Sequence, residues 1–195
     1  MNYLFQSSPP SLKPASPWWA GILPWLAFGV VQLWSTRWAA PVALIVFAVL
    51  NWPLRRALPP LDAGIGFYFL LDSILGFTGL AQQLPPPILF ALCPAILAMT
   101  AIGSIFAGRP FTLAYAHRYA PEHIRERHAF FQANQILTLL WAVGFATTAI
   151  AISTLPAPDE PTQAALIFIS VMGTTTAASI IIGCWLHVRI SRLAS

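Results

Sequence analysis

Six long apolar stretches, separated by short polar connections, decide the solvent in which this chain folds. They run over residues 18–36, 38–54, 64–81, 86–107, 130–155 and 164–188. A hydrocarbon core about 30 Å thick needs roughly 17–25 mostly apolar residues per helical crossing, and each stretch meets that requirement. Transmembrane strands are excluded, because no segment alternates apolar and polar residues over about ten positions. The sequence therefore predicts an all-α, polytopic helical membrane protein with about six transmembrane helices.

Charge supports the same reading. Only 10 Lys and Arg and 6 Asp and Glu occur among 195 residues, and mean hydropathy is +0.71. A soluble domain carries about 25% charged residues. A soluble globular enzyme, a disordered chain and a nucleic-acid-binding domain with a basic face are thereby excluded. Two cysteines are too few for a disulfide-stapled secreted scaffold.

Residues 1–17 hold four prolines and four serines and predict a disordered tail. The membrane domain then covers residues 18–188, and residues 189–195 form a short second tail. Orientation follows from the basic residues. With the N-terminus inside, Lys13, Arg55, Arg56, Arg109, Arg118, Arg125, Arg127, Arg189 and Arg192 fall on cytoplasmic segments, and only Arg37 falls outside. The positive-inside rule then puts both termini in the cytoplasm. Trp18, Trp19, Trp34, Trp38, Trp52 and Trp185 lie near expected span ends, as an interfacial aromatic belt requires.

The polar character concentrates in residues 108–129, between spans four and five. Pro110 suits the first position of a new helix, and helical spacing puts Phe111, Tyr115, Arg118 and Tyr119 on one side. This predicts an interfacial amphipathic helix. Arg109, Arg118, Arg125 and Arg127 are candidates for holding anionic lipid headgroups, or are simply positive-inside determinants. In span five, Phe130, Asn134, Thr138, Trp141 and Phe145 share one helix face. That face is either a lipid- or ligand-facing groove, with Asn134 and Trp141 as contacts, or an interhelical seam with a polar residue as glue.

Asp72 lies near the middle of span three, with no Lys or Arg at comparable depth in any other span. A carboxyl group at the bilayer centre costs about 2.5–3.5 kcal/mol on insertion scales, so it must face the bundle, water or a partner. Thr174, Thr175 and Thr176, near the middle of span six, are its candidate neighbours. Two readings stand: a proton-coupling or ligand-contacting group, and a buried clamp between helices. The spacing of His117, His123, His128 and His187 suits neither zinc nor haem, and no metal or other cofactor is expected. No nucleophile or paired-carboxylate motif appears, which leans against an enzyme.

Arg109-Pro110 at the close of one span, the run Phe111-Thr112-Leu113-Ala114-Tyr115-Ala116, and Trp-Ala-Val-x-Phe over residues 141–145 resemble the intracellular septation protein A-like group of uncharacterised bacterial inner-membrane proteins. The resemblance covers residues 108–145. It implies a bacterial inner membrane and a scaffold or lipid-related role in the cell envelope. The expected function is thus a non-enzymatic inner-membrane protein acting through lipids, a membrane-protein partner or a second copy of itself, with no nucleic acid involved. The alternative is a small oligomeric transporter or channel with its midplane group at Asp72.

Overall fold

The computed structural model describes residues 22–54, 58–120, 124, 128–154, 169–171 and 173–183. The N-terminal tail, Arg55, Arg56, Arg125, Arg127, His123, Cys184, His187 and the C-terminal tail lie outside them, as do the side chains of Arg118 and Tyr119. Among the described residues every regular element is a helix.

The order is α1 (Leu23–Gln32), α2 (Thr36–Asn51), α3 (Pro60–Thr78), α4 (Pro86–Phe106), α5 (Phe111–Tyr119), α6 (His128–Ser153) and α7 (Ile169–Gly183, Met172 apart). Three of these, α3, α4 and α6, have 19, 21 and 26 residues and are long and apolar enough to cross a membrane. They fit a membrane protein. The described parts of α1, α2 and α7 are shorter apolar helices.

Proline punctuation sets several boundaries. Proline at the first turn of α3 and α4 costs no hydrogen bond, because the first N–H groups of a helix have no intrahelical acceptor. For this reason α3 starts at Pro60, a full turn before the expected Gly64, and takes Asp62 into its first turn. Pro41 and Pro94 lie within α2 and α4, as a bundle with neighbouring helices tolerates. Gly79 ends α3 in the left-handed conformation (φ 76°), which a residue without a Cβ adopts at no steric cost.

Successive helices pack antiparallel. Arg37 and Trp38 at the start of α2 meet Phe77 at the end of α3, while Phe47 lies against Gly66. Along α4 and α6, Ala91 clusters with Ile152 and Ala101 with Ala142. The starts of α3, α5 and α6 and the ends of α2 and α4 therefore share one end of the bundle. Arg109 stands at that end and Arg37 at the other.

The central core joins Ala43, Tyr68, Phe69, Cys93, Leu97, Ala98 and Phe145, with Trp25 and Phe28 of α1 packed on it. Trp25 stacks on Tyr68 at 5.8 Å between ring centres and meets Phe69 at 4.9 Å. α7 packs on α6 where Gly144 faces Thr175: a Cβ at position 144 would collide with the threonine side chain. Large apolar side chains such as Leu33, Ile45, Met99, Phe106 and Ile150 point outward. Lipid, not water, is the medium that makes such a surface cheap.

Candidate functional site

The polar residues of the described bundle gather mainly at the Arg109 end, around the turn from α4 into α5. The last turn of α4 closes in a Schellman arrangement. Gly108 (φ 66°) donates its N–H to the Ile105 carbonyl and Arg109 donates to the Ser104 carbonyl, both at 2.9 Å. The Ser104 hydroxyl then donates to the Ala101 carbonyl at 2.7 Å and accepts the Phe111 N–H at 3.1 Å. One serine thus joins the end of α4 to the start of α5. Pro110, buried between them, has no N–H to satisfy.

Next along α5, the Thr112 hydroxyl donates to the Asn134 carbonyl at 2.8 Å and contacts the Thr138 hydroxyl, also at 2.8 Å. Thr112 has a single hydroxyl proton, and Asn134 takes it. Thr138 therefore donates to Thr112, and it accepts the Thr112 N–H at 3.4 Å. Tyr115 donates its phenolic hydrogen to Asp62 Oδ1 at 2.9 Å, linking α5 to the first turn of α3. These bonds rotate the aromatic side of α5 inward. Phe111 is buried against Ala101 and Ala142, and Tyr115 is half-buried beside it. The two rings meet edge to face at 6.4 Å.

The face of α6 predicted from spacing is an inward one. Asn134, Thr138 and Phe145 are buried, while Phe130 and Trp141 are half-buried. Trp141 lies 5.6 Å from the Phe145 ring, and His117 lies 5.6 Å from Phe130. Asn134 donates to the Phe130 carbonyl at 2.8 Å, yet its buried Oδ1 meets no hydrogen-bond donor among the described residues. Arg109 is exposed.

Asp72 lies elsewhere. Helical spacing puts it at the centre of the inward arc of α3, between Tyr68 and Phe69 one turn before and Gly76 one turn after. Despite that position it is only half-buried, and no hydrogen bond to it is found among the described residues. Its carboxyl lies within electrostatic reach of the Tyr68 phenol and the Cys93 thiol on α4. Thr175 is buried against Gly144, and Thr174 and Thr176 are exposed. Thr174 and Thr175 donate to carbonyls of α7 itself, so neither supplies a hydrogen to Asp72.

Sequence reasoning missed Asp62, Ser104 and Thr112 as members of one cluster. Asp62 reads as a loop residue until Pro60 is recognised as a helix start. A proline followed two residues later by an acid is the signal that would have placed it in a first turn, where the helix dipole favours a negative charge. Ser104 and Thr112 carry no comparable signal, because isolated hydroxyls in apolar helices usually bond their own backbone. Among the described residues no group of three or more His, Cys, Asp or Glu is placed to hold a metal ion. No family model matches the sequence, and comparison with curated proteins and with solved structures likewise finds no match.

Proposed function

We propose that this chain is a six-span protein of a bacterial inner membrane, with both termini in the cytoplasm, that acts non-enzymatically through lipid or protein partners met at its Arg-rich end. The observation that carries the reading is the wired segment from Ser104 to Tyr115. It anchors α5 to α3, α4 and α6 and presents Arg109 at the bundle surface. A short helix held by this many side-chain bonds is a built feature, and a fixed cationic surface at the headgroup level suits anionic partners. The resemblance of residues 108–145 to the septation protein A-like group agrees with an envelope role.

The test is charge removal. Glutamine at Arg109, Arg118, Arg125 and Arg127 together is expected to weaken retention of phosphatidylglycerol by the detergent-extracted chain by up to about a thousandfold, at roughly 1 kcal/mol per basic residue. Unchanged retention of both phosphatidylglycerol and co-purifying proteins would end this reading. Cysteine accessibility at residues 5 and 193 tests the orientation, which requires both sites to be labelled from the cytoplasmic side alone.

A second reading rests on Asp72. An inward-facing carboxyl group that keeps partial exposure at mid-span suits a proton- or ligand-coupling site in a small transporter. Asp72→Asn preserves shape and removes the charge. Loss of ion- or proton-dependent uptake into proteoliposomes would support this reading, and uptake equal to the parent chain would exclude it.

A further inference from the structure

A groove of about 410 Å³ runs between α3 and α4, lined by Phe67, Ala95, Ile96, Met99 and Thr100 and open along its outer side. Its lining side chains are apolar except Thr100, whose hydroxyl is spent on the Ile96 carbonyl at 2.8 Å. The lining side chains therefore offer water no free donor. The helices close behind it at Gly64, where a Cβ would stand 2.6 Å from Thr100 Oγ1.

An exposed apolar row leads out of this groove. Ala95, Met99, Ile102 and Phe106 follow one another at spacings of four, three and four along one face of α4. Met99 is 70% exposed and Phe106 is 87% exposed. The row ends at the Schellman turn, which places the exposed Arg109 just past the helix end. From Met99 to Phe106, the last residue of α4, the helical rise is about 10 Å. A carbon-lined groove with an exposed cation just past the end of its helix complements the shape of an acyl chain and the charge of its phosphate.

We infer that the α3–α4 groove and Arg109 form a binding site for one anionic glycerophospholipid, with an acyl chain on Phe67, Ala95 and Met99 and the phosphate at Arg109. The inference rests on the reading of the Arg-rich end as a lipid and partner surface, and it names the class of lipid and its seat. A lipid held at both ends stays bound when annular lipids exchange. A zwitterionic lipid lacks the net charge that Arg109 selects, so the site discriminates by headgroup.

Native mass spectrometry of the full chain in mild detergent, titrated with equimolar phosphatidylglycerol and phosphatidylethanolamine, tests this. The parent chain is expected to keep one phosphatidylglycerol in preference to phosphatidylethanolamine. Arg109→Gln should reduce that preference about fivefold. Ala95→Trp fills the groove and should abolish retention, whereas Ile150→Trp, on the exposed side of α6, should leave it intact. Arg109→Gln alters an exposed side chain, so it decides the headgroup half even if Ala95→Trp fails to accumulate. Equal retention in Ala95→Trp and the parent, or an unchanged preference in Arg109→Gln, overturns the inference while leaving the wider lipid-surface reading standing. Retention of neither lipid by the parent chain overturns both. A change of subunit number in Ala95→Trp, with lipid still bound, assigns the groove to a second copy and also overturns it.

Discussion

Replacing Thr138 by valine removes one hydroxyl and almost nothing else. The side chain is fully buried, and valine fills the same space, so no cavity opens. Two bonds are lost: the donation to Thr112 Oγ1 at 2.8 Å and the acceptance of the Thr112 N–H at 3.4 Å. A buried hydrogen bond contributes about 0.5–1.5 kcal/mol net, and side-chain bonds between membrane helices average about 0.6. One good bond and one long one together give about 1–2 kcal/mol. That loss falls on α5, which has nine residues. Isolated helices shorter than about 12–15 residues are marginal in water, so α5 holds its shape largely by docking. The expected result is amide exchange in α5 faster by about 5–30-fold, measured by hydrogen exchange with mass spectrometry, with α4 unchanged. Thr148→Val is the control. Thr148 is equally buried, but its hydroxyl donates only to the Gly144 carbonyl of its own helix at 2.8 Å, and its loss should cost about 0.5 kcal/mol or less. Equal α5 exchange in the two variants would refute the assignment of Thr138 as the bridge between α5 and α6.

Two further outcomes follow from the packing. Gly144→Ala places a Cβ inside the space of the Thr175 side chain and should lower stability by about 1–3 kcal/mol in detergent unfolding. Thr175→Ala in the same chain should restore most of that, and an additive second loss would show that the two helices do not meet there. Tyr115→Phe should destabilise by about 1 kcal/mol, below the roughly 1.5–3 kcal/mol of a buried bond to a charged acceptor because the pair is only part-buried. Tyr115 and Asp62 each make a further interaction, so the cycle with Asp62→Ala, which removes the acceptor, isolates the bond, and zero coupling would contradict it.

Much of the fold can be read from residues alone. Apolar run length alone locates α3, α4 and α6, and proline and glycine positions account for the ends of α3 and α4. The spacing of Asn134, Thr138 and Phe145 correctly puts them on one face, because helical periodicity is a local property. Which medium that face meets is not local. The shared aromatic side of Phe111 and Tyr115 is legible from spacing, and it suggests an interfacial amphipathic helix; what that side packs against is not legible. The fold turns Phe111 inward because Ser104, Thr112 and Tyr115 bond three different helices.

What the sequence by itself determined is the helical class and the apolar elements of membrane length, three of them among the described residues, since both depend on composition and spacing along the chain. Tertiary structure alone decided which hydroxyls bridge helices, that Asp62 reaches Tyr115 across 53 positions, and that α3 and α4 enclose an open groove. The physical reason is that hydrophobicity acts additively on each segment, whereas hydrogen bonds and grooves exist only where two segments meet at a particular rotation and depth.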